Sequence, residues 1–211
     1  MEKILVVGAT GTTGKKIVNL LKSSTYFEPI AMVREKNQVK EFSDQNVKTV
    51  IADLEGDVSF TTANIDKVVF AAGSGGKKVV AIDQEGAKKM IDAAKNNNIK
   101  KFVMLSSIGA DAPEEASDLQ DYLKAKHTAD DYLKDSNIPY VIVRPGALTN
   151  EPGYSKIQIG SNLNKKGSIS RDDVAQVLTR TLHDDAALNK TFEIISGDMM
   201  IEKAFDKITN H

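Results

Sequence analysis

The sequence predicts an α/β fold, a single domain built on a doubly wound parallel sheet with a small carboxyl-terminal lid. Three observations predict it. Short apolar runs recur at regular intervals, stretches of helical period separate most of them, and the first run leads through a glycine turn into a helix. A chain of 211 residues with no Pro/Gly/Ser-rich linker, charge block or repeat reads as one domain, 1–211.

The apolar runs are Ile4–Val7, Ile30–Val33, Val47–Ala52, Lys67–Ala72, Lys101–Leu105 and Tyr140–Val143. They are rich in Val and Ile and nearly continuous, as strands buried on both faces are. Helical patterns fall at 14–24, 77–97 and 118–136, with a short or irregular piece around 56–64. Residues 146–169 are polar, with several Gly and Asn, and read as loops and short strands. Ser170-Arg171-Asp172-Asp173 reads as a capped helix start, with Val174, Val177, Leu178 and Leu182 on the apolar face. A strand at Thr191–Ile195 and a last helix near 200–209 follow. This tail is too short for an independent domain. Segments 146–169 and 196–211 are therefore expected to form a lid over the carboxyl ends of the strands, where ligands bind in such sheets.

Composition narrows the function. Lys+Arg 28 against Asp+Glu 29 gives a net charge of −1 with both signs interspersed, which removes the electrostatic basis for binding nucleic acid or anionic membrane. The absence of cysteine excludes disulfides, thiolate metal sites and cysteine nucleophiles. His127, His183 and His211 lack metal-ligand spacing, so no metal is expected. No apolar run approaches the roughly 20 residues of a membrane helix. The chain enters a strand at once, and a cytoplasmic protein acting on a small molecule is expected.

Gly8-Ala9-Thr10-Gly11-Thr12-Thr13-Gly14 follows the first strand and opens the first helix. Such a corner turns backbone N–H groups and the positive end of a helix toward one point, where a diphosphate can sit. Gly8 permits the tight exit, Gly11 the approach of phosphates, and Gly14 close packing of helix on strand. A nucleoside triphosphate loop does not fit. Its first glycine would fall at Ala9 and its Mg²⁺-binding hydroxyl at Lys16.

About 20 residues beyond the glycines, the second strand ends at Arg34, which can pair with a 2′-phosphate and stack on adenine. Lys15 could add a second positive charge, and Glu35 could serve a 2′-hydroxyl if the strand ended one residue later. NADP is expected over NAD. Asp53-Leu54 after the third strand can receive the adenine amino group, and Ala71-Ala72-Gly73 after the fourth leaves room for the ribose.

The segment from Ser117 reads as a helix with a capping box, Ser117 with Gln120, and an apolar face of Leu119, Tyr122, Leu123, Ala129 and Leu133. Lys126 lands in the middle of that face. Asp130 offers a structural ion pair, in the weaker orientation. Tyr122 is the i−4 neighbour of Lys126, and a nearby ammonium suits a tyrosine to proton transfer. Ser106-Ser107 at the end of the fifth strand can hydrogen-bond a substrate carbonyl.

Taken in order, Gly8–Gly14, Arg34, Asp53-Leu54, Ala71-Ala72-Gly73, Ser106-Ser107, Tyr122 with Lys126, Arg144-Pro145-Gly146 and Arg171-Asp172-Asp173-Val174-Ala175 span nearly the whole chain. In these residues it resembles the short-chain dehydrogenase/reductase superfamily, in its atypical NAD(P)H-binding branch. The resemblance implies a Rossmann fold with NADP(H) across the carboxyl edge of the sheet. It further implies Ser107 (or Ser106) as the substrate-orienting hydroxyl, Tyr122 as proton donor or acceptor, Lys126 as ribose clamp, and Pro145-Gly146 as a wall near the nicotinamide. The expected activity is NADPH-dependent reduction of a small carbonyl, quinone or flavin-like acceptor. The alternative is a sensor that binds NADP(H) with little turnover.

Overall fold

In the computed structural model, which describes residues 1–209, the apolar runs become strands whose alternate side chains enter two separate cores. Strand β1 (Glu2–Val7) sends Ile4 and Val6 to one core and Leu5 and Val7 to the other. This two-sided burial is why the runs lack polar alternation. With β2 (Phe27–Val33), β3 (Lys48–Ile51), β4 (Lys67–Phe70), β5 (Lys101–Leu105) and β6 (Tyr140–Pro145), β1 forms a parallel sheet ordered β3-β2-β1-β4-β5-β6. The winding reverses between β1 and β4, and a crevice opens there at the carboxyl ends of the strands.

Helices cover both faces. Helix α1 (Thr12–Lys22) buries Ile17, Val18 and Leu21 on one face. The short α2 (Val39–Ser43) adds Phe42 there. On the other face, α3 (Ala87–Asn96) contributes Met90 and Ile91, and α4 (Gln120–Lys134) contributes Ala129 and Leu133. Helix α5 (Arg171–Thr181) lies beside α1 on the first face, its start capped as expected by Ser170, whose hydroxyl accepts the Asp173 N–H.

Two helices begin differently from the sequence expectation. The stretch predicted as one helix over 77–97 is divided: residues Val79–Gly86 form a π-helix, and the α-helix starts at Ala87. Ser117 does not cap α4, since its hydroxyl donates to the Asp118 carboxylate instead. Leu119 takes the cap position in the left-handed region, with φ 59°. That backbone turns its side chain off the apolar face and leaves it 69 % exposed.

The tail also takes a different form. Strands β7 (Ala147–Thr149) and β9 (Ser168–Ser170) pair with each other. Strands β8 (Lys156–Gly160), β10 (Lys190–Ser196) and β11 (Met199–Met200) extend the main sheet beyond β6. Helix α6 (Ile201–Thr209) buries Ala204 and Phe205, the latter edge-on to Phe192. Much of the segment expected to be a lid is thus built into the sheet edge. Ile157 and Ile159 alternate with exposed residues, and pairing with β10 buries both. Leu148 is the residue of 146–169 that lines the crevice, and no described residue of 196–209 does. Asn210 and His211 lie outside the described residues. Among the described residues, no helix is long and apolar enough to cross a membrane.

Candidate functional site

The crevice at the β1/β4 switch point has a volume of about 850 Å³ and begins at the glycine turn. Gly8 leaves β1 with φ 87°, and a Cβ there would stand 2.6 Å from the Ala72 nitrogen. At Gly14 a Cβ would stand 2.0 Å from the Gly8 carbonyl oxygen, so α1 can approach the strand only without a side chain. A Cβ at Gly11 would meet nothing nearer than 3.2 Å, and that residue lines the crevice with Thr10, Thr12 and Thr13. No side chain caps α1, and its first turn holds no acid. The orphan N–H groups and the positive helix end are left for an anion, and a diphosphate fits them.

Beside this turn, at the end of β2, Arg34 lines the crevice with a side chain 61 % exposed. Glu35 instead caps the 3₁₀ turn Lys36–Gln38, and Gln38 reaches back to the backbone of Arg34 and Glu35. Lys15 turns away to Glu41 at 2.5 Å, so the second charge expected from it is spent outside the site. Asp53, Leu54, Ala71, Ala72 and Gly73 line the crevice. One Asp53 oxygen accepts the Glu55 N–H.

The far half of the crevice brings Tyr122 and Lys126 together, with the ammonium 5.5 Å from the ring centroid. The Tyr122 hydroxyl makes no hydrogen bond among the described residues. Lys126 is buried; its Nζ donates to the Leu105 carbonyl at 3.3 Å and pairs with Asp83 at 3.4 Å. The partner expected for it, Asp130, is taken by Arg144, whose Nε and Nη2 each reach Oδ2 at 3.0 Å. Burial pushes the Asp130 carboxyl up, against the opposing pull of Arg144 and Ser106.

Ser106 lines the crevice, yet its hydroxyl donates to Asp130 at 2.9 Å. Ser107 is half-buried outside the lining, its hydroxyl 3.2 Å from the Ile108 carbonyl. Pro145 and Gly146 also stand off the crevice. The Gly146 N–H joins Ile194, and a Cβ on it would lie 2.3 Å from the Gly167 oxygen, so this glycine serves the β7–β9 approach. Leu148 and Arg171 line the crevice in their place. Arg171 is held by the Leu148 carbonyl and the Asn150 side chain.

Sequence reasoning missed Asp83, Leu119 and Leu148 as lining residues. For Asp83 a signal existed: a carboxylate directly after the apolar run Val79-Val80-Ala81-Ile82. Its lysine partner lies far along the chain, and no spacing rule joins them.

Comparison with known proteins gives a consistent result. The family model described as NAD(P)H-binding matches residues 8–185. The chain is 35 % identical to an uncharacterised sugar epimerase of Bacillus subtilis, covering 98 % of this chain and 100 % of that protein. Among solved structures, an oxidoreductase from Lactococcus lactis superposes with a TM-score of 0.91 at 32 % identity, covering 99 % of this chain and 97 % of that one. A Bacillus halodurans protein described as a candidate NAD-dependent epimerase/dehydratase superposes with a TM-score of 0.93 at 39 % identity, covering 98 % and 100 %. Shorter matches join the chain to sanguinarine reductase of Eschscholzia californica, 31 % identical over 54 % of this chain and 44 % of that one. NAD(P)H azoreductase of Xenophilus azovorans is 30 % identical over 68 % and 47 %.

Proposed function

Because the chain belongs to the NAD(P)H-binding family, we propose that it is an NADPH-dependent oxidoreductase acting on a small quinone-, flavin- or carbonyl-type acceptor. The observation that carries this reading is one crevice lined by an uncapped helix start and, one strand over, by the Arg34 guanidinium. The turn Gly8–Gly14 would hold the diphosphate, Arg34 the 2′-phosphate, Asp53 the adenine amino group, and Lys126 the ribose hydroxyls beside the nicotinamide. NADPH would supply the hydride. A guanidinium matches a phosphate by paired charge-assisted hydrogen bonds and has nothing to accept from a 2′-hydroxyl. Glu35, the residue that would favour NAD, stands off the crevice, 3.6 Å from the Arg34 guanidinium.

Tyr122, with its hydroxyl unengaged, is the candidate acid. The hydroxyl that would share a carbonyl oxygen with it, Ser106, is committed to Asp130. Quinone and flavin acceptors depend more on orientation against the cofactor than on a second donor, and this favours them over simple carbonyls. The reductase names among the relatives support the same chemistry. The engaged Ser106 also favours the second reading, a sensor that binds NADP(H) with little turnover.

Calorimetry with NADPH, NADP⁺ and NADH, followed by NADPH oxidation over quinones, flavins and carbonyls, separates these readings. NADPH is expected to bind about 10-fold or more tightly than NADH, and Arg34→Ala to erase that preference. Tyr122→Phe should slow carbonyl reduction about 100-fold and leave quinone reduction nearly unchanged. Tight binding with no turnover on any acceptor would select the sensor. No heat with any of the three nucleotides would end both readings.

A further inference from the structure

Asp83 is 1 % exposed and sits inside the π-helix Val79–Gly86, beneath the glycine loop that follows β4. Each of its oxygens has a different task. Oδ2 accepts the Ser74 N–H at 3.0 Å and the Ser74 hydroxyl at 2.7 Å. Oδ1 accepts no hydrogen bond and faces the Lys126 ammonium, 3.4 Å away. A Cβ on Gly73 would come within 3.2 Å of Oδ1, so the absence of a side chain there makes room for the carboxylate. A charge buried this deeply is costly without partners, and Asp83 finds them on two separate segments.

Resting on the cofactor reading above, we infer that Asp83 is a positioning residue that holds Lys126 at the crevice and couples its occupation to the loop Gly73–Lys78. The coupling follows from the geometry of one carboxylate. Its two oxygens turn about a single bond, and a ligand hydroxyl that drew the Lys126 ammonium away would leave the buried Oδ1 with no partner, so that the carboxylate would turn to find one and loosen the hold of Oδ2 on Ser74. Elsewhere the loop is held by the ion pair of Lys78 with Glu55 at 2.6 Å and by the Lys77 N–H on the Ser74 carbonyl at 3.4 Å. Gly75 and Gly76 take positive φ, and a Cβ at either would meet nothing within 4 Å. Lys77 and Lys78 follow directly and give trypsin two cleavage sites inside the coupled segment.

The test is limited trypsinolysis at Lys77 and Lys78 with and without NADPH, paired with titration of NADPH fluorescence. Saturating NADPH should raise the wild-type cleavage rate about five-fold, and protection of these sites would overturn the coupling. Ser74→Ala should cut faster without ligand and lose that response, while Ser74→Thr, which keeps the hydroxyl, should restore both. Asp83→Asn and Lys126→Met should each weaken NADPH binding about 10-fold, and the double variant should be no weaker than either. The double variant removes both buried charges, so it keeps the comparison readable if Asp83→Asn alone fails to fold. An unchanged NADPH response in Ser74→Ala, or additive losses in the double variant, would overturn the coupling. Should the wild type bind no nucleotide, the cofactor reading fails separately. The ligand-free rates of the two Ser74 variants would then decide the anchoring, and equal rates would refute it.

Discussion

At the amino end of the sheet, buried cations are fully committed; at the carboxyl end, donors are left waiting. Lys67, at the start of β4, is buried, donates to the Leu182 carbonyl at 2.8 Å and pairs with Glu2 at 2.7 Å and with Asp184. Lys101, at the start of β5, donates to the carbonyls of Thr181, His183 and Ala186. Both lysines serve the carbonyls at the carboxyl end of α5, where the helix dipole favours positive charge. At the opposite end, α1 starts without a side-chain cap and Arg34 faces the crevice with a lone 3.6 Å contact to Glu35. The difference teaches where the chain spends polarity on stability and where it leaves polarity for a ligand.

The largest expected effect lies at the carboxyl end. Gly14→Ala places a Cβ against the Gly8 carbonyl and should weaken NADPH binding about 100-fold, or about 3 kcal/mol. Urea unfolding of the same variant should register a loss of about 1–3 kcal/mol from overpacking. Lys67→Met sharpens the contrast from the other end. It removes the donor to Leu182 and should cost about 2–4 kcal/mol of stability, with NADPH affinity unchanged by calorimetry. Equal losses of affinity in both variants would break the division between the two ends.

The smallest effect is a pH dependence at Lys101. Burial, aided by the charge of Lys67, lowers its pKa from 10.5 to about 8. Below pH 8 the ammonium is present in folded and unfolded chains alike, and the folded chain bears its whole desolvation cost. Between about pH 8 and 10.5 the unfolded chain holds more protons, so this group makes stability rise with pH, by about 3 kcal/mol at most. The denaturation midpoint of wild type minus that of Lys101→Gln should rise from pH 7.5 through 9 to 10. A wild-type advantage that shrinks with rising pH would contradict it.

Much of the architecture was legible because it is local. A continuous Val/Ile run can be buried on two faces, and the alternation of such runs with helical periods leaves a layered α/β sheet as the consistent reading. The tight exit at Gly8 and the close packing of helix on strand at Gly14 are legible from spacing alone, and the backbone distances agree with both. Tyr122 and Lys126 met because four residues on a helix always meet. Expectations that needed distant partners fared less well. Lys126 found Asp83 rather than Asp130, and Arg144 claimed Asp130, because burial satisfies charges by what lies across the core. Ser117 does not cap α4, and Leu119 leaves its apolar face, because Leu119 itself takes the cap position in the left-handed region.

By itself, the amino-acid order determined the alternation of parallel strands and helices, the glycine corner and the arginine one strand over. Each depends on backbone conformation or on residues a few places apart, where geometry follows from spacing. Tertiary structure alone decided which buried charges pair, which serine faces the crevice, and that the tail extends the sheet instead of roofing it. Those outcomes turn on desolvation, which every buried polar group settles with whichever partner the folded chain brings within reach.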